Sequence, residues 1–326
     1  MTTEARHTDL DIDRLGEPRF LSPINLGTEP GDLLADFTPD DARVLADLDP
    51  ARLAECHRLG EAPPSFELAG PRQRICFDPA RTTAGIVTCG GLCPGLNNII
   101  RGLVMTLSYG YGVSRVLGFR YGFKGLTPAG GEPAVLTPET VIDIHRDGGT
   151  VLGTSRGPQE PAVMADRLQQ FGVGLLFAVG GDGTFRGALA LQRELARRRA
   201  PIAVIAVPKT IDNDIPLVDR TFGFGTAVEH AAEAIRAARA EAISAERGIG
   251  LVKLMGRHSG FIAATAALAV RNANLVLIPE LPFDLEGVHG LFAYLEDRFR
   301  RAKHTVIVVA EGAGQDHLEA AAGKDA

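Results

Sequence analysis

The sequence predicts an α/β fold in which mainly parallel sheets are covered by helices on both faces. Short apolar segments alternate with longer amphipathic segments, and glycine-rich turns follow several of the apolar segments. This alternation is typical of parallel strands that are joined by crossover helices. The chain has 326 residues, 45% of them hydrophobic, which is enough for two domains with separate cores.

Residues 1–80 differ in composition from the rest and are predicted to form an N-terminal extension. They are rich in Pro, Asp and Glu, and the apolar pieces in ARVLADLDPARLAECHRLG indicate one or two short helices. The pattern changes at residue 84. We place two α/β units after the extension, at residues 81–223 and 224–326.

The first α/β unit contains three predicted buried strands, AGIVTCGG, VGLLFAVGGDGT and PIAVIAVPKT. A further strand and turn are predicted over SRVLGFRYGFKGL. Helices are predicted over FRGALALQRELARRR, which is amphipathic, and over LNNIIRGLVMTLSYGYG, which Asn97 or Asn98 can cap. These strands belong to one parallel sheet, so their carboxyl ends lie at one edge.

The second unit repeats the alternation of strands and helices without a recognisable internal repeat. Strands are predicted over GIGLVKLMG, ANLVLIPEL and HTVIVVAEGAG. Helices are predicted over the Ala-rich GTAVEHAAEAIRAARAEAISAER and over SGFIAATAALAVR.

Composition and patterning argue against several classes of protein. The formal net charge of −6 argues against a nucleic-acid binder held by phosphate contacts. No apolar run reaches the length of a membrane helix, and MTTEARHTDLDIDRLGEPRF lacks an apolar signal region, so we expect a cytoplasmic protein. The CGGLC segment has no second Cys or His pair nearby, which argues against a zinc site.

Three glycine-rich turns follow apolar segments: TCGGLCPG at 88–95, GTSRGP at 153–158 and VGGDGTFRGA at 179–188. Glycine lets the backbone approach a ligand closely, and the N-terminus of a following helix favours phosphate. A tight strand–helix turn explains one such motif equally well. Three in one sheet favour a phosphate site, although the G-x-x-x-x-G-K-[ST] motif of P-loop kinases is absent.

Two acidic motifs supply the chemistry that a phosphate site needs. Asp182, between Gly181 and Gly183, is a candidate Mg²⁺ ligand, with an Asx-turn residue as the alternative. The segment PKTIDND leaves a buried strand and presents Asp212 as a candidate general base, with Asp214 assisting at the metal. The alternative for this segment is a loop with capping aspartates.

Three further charged residues follow glycine-rich or apolar segments. Arg257 in KLMGRHSGFIA and Arg156 in TSRGP can clamp a phosphate or stabilise transition-state charge, with surface salt bridges as the alternative. Glu311 in VVAEGAG can accept a hydrogen bond from a sugar hydroxyl or can cap a turn. We expect His258 to be structural.

Four of these segments together resemble the 6-phosphofructokinase family: GIVTCGGLCPGLNNIIRGLV, GGDGTFRGA, PKTIDNDIPLVDRTFGFGTAVE and GLVKLMGRHSGFIA. The segment FELAGPRQRICFDP is similar to the extended ATP-dependent branch that is related to pyrophosphate-dependent enzymes. The resemblance implies two Rossmann-like subdomains, one binding the nucleotide (81–223) and one the sugar phosphate (224–326). It also implies a Mg²⁺-dependent homodimer or homotetramer that transfers the ATP γ-phosphate to the 1-hydroxyl of fructose 6-phosphate.

The resemblance assigns roles to individual residues of this sequence. Asp182 would hold Mg²⁺, and Asp212 would accept the proton of the sugar hydroxyl. The residues expected to contact ATP are Gly90, Arg156, Gly157, Gly181, Asp182, Gly183 and Thr184. The residues expected at the sugar phosphate are Thr210, Ile211, Asp212, Met255, Gly256, Arg257 and Glu311.

The phosphoryl donor depends on two positions. In the family, glycine after the GGD aspartate accompanies ATP, because a second aspartate would crowd and repel the α-phosphate region of a nucleotide. Gly183 therefore favours ATP. Lys209 is frequent in pyrophosphate users but accompanies ATP in the extended branch, so pyrophosphate dependence is the alternative.

The resemblance also implies parts that this sequence does not supply. The family continues past AEGAGQD into a segment with a further sugar-phosphate arginine, so we expect the second unit to be incomplete at residue 326. The family borrows another arginine from a neighbouring subunit, and Arg247 does not match that position cleanly. A non-catalytic phosphofructokinase-like subunit is therefore a third alternative, which the intact aspartates and Arg257 argue against.

Overall fold

A computed structural model describes residues 10–29 and 31–317. The strands, in chain order, are β1 Phe20–Leu21, β2 Arg43–Leu45, β3 Ser65–Glu67, β4 Arg74–Ile75, β5 Thr83–Thr88, β6 Arg115–Phe119, β7 Ala134–Leu136, β8 Val173–Gly180, β9 Ala203–Thr210, β10 Phe222–Gly223, β11 Gly248–Leu254, β12 Leu275–Leu277 and β13 His304–Ala310. The α-helices are α1 Pro50–Leu59, α2 Leu96–Met105, α3 Pro138–Val141, α4 Pro161–Gln170, α5 Asp182–Arg197, α6 Phe224–Ser244, α7 Phe261–Val270 and α8 Leu291–Arg301.

The larger sheet has six strands in the order β10-β9-β8-β5-β6-β7. All neighbouring strands are parallel except the edge pair β6–β7, which is antiparallel. The predicted strands of the first unit are therefore present, and the prediction of mainly parallel sheets is confirmed. The edge strand β7, a three-residue segment, was not predicted from the sequence.

Two apolar clusters cover the two faces of this sheet. Neighbouring residues of β5 belong to different clusters, Val87 to one and Ile86 to the other, because side chains alternate along a strand. Leu168 of α4 and Leu191 of α5 pack in the first cluster, and Ile100 of α2 packs in the second. The strands are consequently buried on both faces, which accounts for their continuous apolar sequences.

The smaller sheet has three parallel strands in the order β11-β13-β12. Helices α6 and α7 pack on it through a cluster that includes Ile235, Ala263, Val252 and Val308. The predicted strands and helices of the second unit are thus present. Helix α8, which has no fully buried residue, was not predicted from the sequence.

Helix α2 does not begin as the sequence suggested, and the predicted asparagine cap is wrong. The helix starts at Leu96 after Gly95, which has the left-handed φ of 91° and makes no side-chain cap. The side-chain amide of Asn97 makes other hydrogen bonds. Its Oδ1 accepts from the Val151 main-chain amide at 2.9 Å, and its Nδ2 donates to the Asp147 main-chain oxygen at 3.0 Å. The Asn97 side chain therefore makes long-range hydrogen bonds and is not available to cap the helix.

In residues 10–29 and 31–80, the N-terminal extension forms one α-helix, where one or two were expected. Helix α1 follows Asp49, whose side chain accepts from the Ala51 amide, and ends at the left-handed Gly60. The extension also forms two short antiparallel pairs, β1–β4 and β2–β3, which were not predicted. Within the described residues, no helix is long and apolar enough to span a membrane.

Helix α5 offers a matched test of the core. Leu191 is fully buried against the larger sheet, whereas Leu189 on the same helix is 51% exposed. We expect Leu191→Ala to lower the free energy of unfolding by about 2–5 kcal/mol, because it removes packed methyl groups and leaves a cavity. Leu189→Ala should change it by less than about 0.5 kcal/mol. Denaturant unfolding measures both, and equal losses would contradict the packing described.

Candidate functional site

A cavity of about 890 Å³ lies at the carboxyl ends of β5, β8 and β9. Parallel strands present their carboxyl ends at one edge, which is where ligands bind in open α/β sheets. Twelve of the predicted site residues line it: Gly90, Arg156, Gly157, Gly181, Asp182, Gly183, Thr184, Lys209, Thr210, Ile211, Asp212 and Met255. The remaining four lie outside the lining: Asp214, Gly256, Arg257 and Glu311.

Asp214 and Glu311 lie close enough to Asp212 for their charges to raise its pKa. Gly256, Arg257 and Glu311 follow β11 and β13, which are paired strands of the smaller sheet. The Glu311 amide donates to the Leu254 oxygen at 2.8 Å, which sets the end of β13 beside the end of β11. The Gly312 amide donates to the Gly256 oxygen at 3.2 Å, and a Cβ on Gly312 would overlap the Arg257 oxygen. Glycine at 312 therefore permits the close approach of the two turns.

The first glycine turn is tied to its neighbours by three hydrogen bonds. The Gly90 amide donates to the Ser155 oxygen at 3.1 Å, and the Thr154 hydroxyl donates to the Gly90 oxygen at 2.6 Å. The Lys209 ammonium donates to the Gly91 oxygen at 2.6 Å. Gly90 has a φ of 82°, which favours glycine. These bonds hold the turn after β5 against the ends of the adjoining segments.

The third glycine turn, VGGDGTFRGA, forms the N-terminus of α5. A Cβ on Gly180 would overlap the Thr184 side chain, so that position requires glycine. Gly183 differs, because a Cβ there meets no atom within 4 Å and its φ is not positive. The packing of the protein therefore gives no reason for glycine at 183, which lies on the cavity wall.

Asp182 is the first residue of α5 and lies on the cavity wall. Its carboxylate pairs with Arg186, with 2.6 Å between Oδ2 and Nη2. The side chain is 55% exposed, so a cation can reach it. The described residues contain no cluster of three or more His, Cys, Asp or Glu that could hold a metal. One carboxylate suits a divalent cation that takes its other ligands from phosphate and water.

Lys209 is buried beneath the cavity, with only 4% of its surface exposed. Burial lowers the pKa of its ammonium, while the nearby Cys93 and Cys89 act in the opposite direction. Burial also raises the pKa of the Cys89 and Cys93 thiols to about 11. Both thiols are therefore neutral at physiological pH and unsuited to nucleophilic attack.

The loop after β9 is closed by side chains that the sequence analysis did not single out. Asn213 has a φ of 53°, and its Oδ1 accepts from the Thr221 amide at 2.8 Å. The buried Thr221 hydroxyl donates to the Thr210 oxygen at 2.6 Å. The buried Ser259 hydroxyl, which follows a strand of the smaller sheet, donates to the main-chain oxygen of Asp212 at 2.8 Å. Only the asparagine inside TIDND offered a sequence signal, as a residue that tolerates left-handed backbone.

Asp212 has an unusual electrostatic environment. Its Oδ1 atom is buried without a hydrogen-bond partner in the described structure. Burial raises the pKa of this carboxyl, the charges of Asp214 and Glu311 raise it further, and His258 opposes them. The carboxylate is thus a stronger base than an exposed aspartate. A raised pKa and an open acceptor atom in a cleft are features of functional groups.

The two candidate arginines of the second unit differ. Arg257 is exposed and makes no ion pair in the described part of the chain, so the surface salt bridge considered as an alternative is not present there. Arg247 pairs with Glu296 at 3.0 Å and stacks on the Phe299 ring at 5.0 Å. Its guanidinium is engaged by its own chain, which agrees with leaving it unassigned.

Comparison with known proteins identifies similar sequences. The phosphofructokinase family model matches residues 83–324. The ATP-dependent 6-phosphofructokinase of Amycolatopsis methanolica is 52% identical over 313 residues, covering 96% of this chain and 68% of that protein. The Trypanosoma cruzi enzyme of the same name is 47% identical over 325 residues, covering 99% and 66%. ATP-dependent 6-phosphofructokinase 1 of Arabidopsis thaliana is 54% identical over 253 residues, covering 78% and 53%.

These relatives are longer, since the chain spans between 53% and 68% of their length. Solved structures are similar as well. Phosphofructokinase of Pichia pastoris in the T-state has a TM-score of 0.62 at 25% identity, covering 78% of this chain and 30% of that chain. A pyrophosphate-dependent phosphofructokinase from Marinobacter aquaeolei also has a TM-score of 0.62 at 25% identity, covering 71% and 61%.

The raised pKa of Asp212 predicts how the free energy of unfolding depends on pH. The folded protein holds the Asp212 proton more tightly than the unfolded chain, so this group lowers stability as the pH rises from the unfolded pKa through the folded one. Asp212→Asn removes that loss. Its stability relative to wild type should therefore increase as the pH rises from about 3 to 7.

Denaturant unfolding across this pH range measures the effect. Asp214→Asn is the matched variant: it removes a neighbouring negative charge, so Asp212 should titrate at lower pH. A stability difference between Asp212→Asn and wild type that does not vary with pH would contradict the assigned environment.

Proposed function

The chain belongs to the phosphofructokinase family, and we propose that its cavity transfers the γ-phosphate of ATP to the 1-hydroxyl of fructose 6-phosphate, a reaction of glycolysis. The observation that carries the proposal is the buried, unpartnered oxygen of Asp212 at the end of β9. The names of its relatives, which are ATP-dependent 6-phosphofructokinases, support the same activity.

In this proposal the two α/β units divide the substrates. The unit at 81–223 takes the nucleotide, with its phosphates against the turns around Gly90, Gly157 and Gly181–Thr184 and against Arg156. The unit at 224–326 takes the sugar phosphate with Met255, Gly256, Arg257 and Glu311, joined by Thr210 and Ile211 from the first unit. Backbone amides of glycine turns and a helix N-terminus suit the donor phosphates.

Asp212 accepts the proton of the attacking hydroxyl. Its raised pKa increases its basicity, and the Ser259 and Thr221 hydrogen bonds fix the backbone that carries it. Asp214 lies two residues further on and adds negative charge beside it. Arg257 is exposed and has no ion pair among the described residues, so its charge can neutralise the transferring phosphoryl group.

Kinases of this family generally need a divalent metal with ATP, and we propose Mg²⁺ held by Asp182. When bound, Mg²⁺ would supply charge neutralisation for the phosphates. The substrates are water-soluble, which fits the cytoplasmic location expected from the sequence. We also propose a homodimer or homotetramer, on the family resemblance, and sedimentation analysis tests it.

Pyrophosphate is the alternative donor, favoured by Lys209 and by the structural likeness to a pyrophosphate-dependent enzyme. A coupled assay of fructose 1,6-bisphosphate formation with Mg²⁺, comparing ATP with pyrophosphate, decides between them. Turnover with pyrophosphate alone would overturn the ATP assignment. A chain that binds both substrates without turnover would favour the non-catalytic subunit.

Asp212→Asn should lower kcat by roughly 10²–10⁴-fold, because the hydroxyl loses its proton acceptor. Nucleotide affinity should change little, since the carboxylate acts on the sugar. Asp219→Asn is the control, because its exposed side chain lies on the same loop but does not line the cavity. Steady-state kinetics and calorimetric binding measure the two effects, and an unchanged kcat would refute the base assignment.

Gly183→Asp should weaken ATP use and spare folding. The added side chain meets no protein atom at its Cβ, so the variant should unfold at the wild-type temperature. Its negative charge in the cavity should repel the nucleotide and raise the KM for ATP about tenfold or more, equivalent to roughly 1.4 kcal/mol. Thermal unfolding and ATP kinetics measure the outcome, and unchanged ATP kinetics would remove Gly183 from donor selection.

A further inference from the structure

Five charged side chains line the cavity: Arg156, Asp182, Arg186, Lys209 and Asp212. Lys209 donates to the Gly91 oxygen, and one oxygen of Asp212 has no partner. Arg186, one turn into α5, is the member of this set to which neither the sequence analysis nor the proposed function gives a role.

Arg186 engages both oxygens of the Asp182 carboxylate. The distance from Nη2 to Oδ2 is 2.6 Å, and Nε donates to Oδ1 at 3.3 Å. The Arg186 side chain is 79% exposed and that of Asp182 is 55% exposed. Exposed pairs one helical turn apart contribute little to stability, so this pair can be broken at small cost to the fold.

The position of the pair has a chemical consequence. The two Asp182 oxygens that Arg186 occupies are the atoms that a divalent cation would use. The exposed Arg186 side chain can move away from these oxygens within the cavity, since it is not packed in the core.

We propose that Arg186 is the counter-ion of Asp182 in the metal-free site and gives up the carboxylate when a divalent cation binds with the nucleotide. The inference rests on the proposed function, in which nucleotide phosphates fill this cavity and Asp182 holds the cation. Without the cation, Arg186 neutralises a carboxylate that would otherwise repel the phosphates. When the cation binds, the ion pair between Asp182 and Arg186 is broken. The cost of breaking it reduces the increase in nucleotide affinity that the cation provides.

Arg186→Gln should therefore change how strongly Mg²⁺ increases the affinity for the nucleotide. The quantity to measure is the enhancement by Mg²⁺, defined as the Kd for AMP-PNP in EDTA divided by its Kd in saturating Mg²⁺. Removing Arg186 leaves Asp182 free for the cation and exposes it to metal-free phosphates. Both effects raise the enhancement, and we expect a rise of about twofold to fivefold, the range that an exposed ion pair supplies.

Removing any positive charge from the cavity weakens the binding of metal-free AMP-PNP more than that of its Mg²⁺ complex. A control variant that loses the same charge is therefore needed. Arg156→Gln removes a cavity cation that makes no ion pair within the described residues. It should weaken binding in both conditions and raise the enhancement less than Arg186→Gln does. Asp182→Asn should lower the enhancement, and adding Arg186→Gln in that background should change it no more than Arg156→Gln does.

Isothermal titration calorimetry of these variants, with thermal unfolding to verify folding, tests the proposal. It is overturned if Arg186→Gln raises the enhancement no more than Arg156→Gln, or by the same factor with and without Asp182. In either case wild-type binding of AMP-PNP with Mg²⁺ would leave the proposed function standing. A wild-type protein that binds AMP-PNP in neither condition would overturn the proposed function and this inference together.

Discussion

The hydrogen bond from the Ser259 hydroxyl to the Asp212 main-chain oxygen joins the two α/β sheets at the candidate centre of the chemistry. Ser259 lies between β11 and α7 of the second sheet, whereas Asp212 follows β9 of the first. The hydroxyl is buried, so the bond is shielded from water. A carboxylate whose own oxygen lacks a partner needs a fixed backbone, and this bond together with the Thr221–Thr210 bond supplies it.

The larger sheet supports that junction. Its strands are buried on both faces by separate apolar clusters, so close packing sets their positions. Glycine occurs at the points where two segments approach closely, as at Gly180 beside Thr184 and at Gly312 beside Arg257. Gly183 has no such neighbour, so close packing does not account for glycine at that position.

Charges around the cavity are arranged in three different ways. Lys209 is buried and donates to a carbonyl oxygen, so it ties two loops together while its pKa is lowered. Asp182 and Arg186 neutralise one another in the open part of the cavity. Asp212 is left with a buried acceptor atom and neighbouring negative charges that raise its pKa. The environment of Lys209 suits the positioning of loops, and that of the Asp182–Arg186 pair suits a charge that can be exchanged. The environment of Asp212 suits the acceptance of a proton.

The sequence by itself determined the α/β class, the main strands and helices, the glycine turns and sixteen candidate site residues, twelve of which line the cavity. The class, the elements and the turns follow from local periodicity and from the common edge at which parallel strands end, whereas many of the site residues came from the family resemblance. The tertiary structure alone decided which polar groups meet. Asn97 serves a loop 54 residues away instead of capping its helix, and Lys209 reaches Gly91 across 118 residues. Such contacts depend on how distant segments pack, and no local pattern records them.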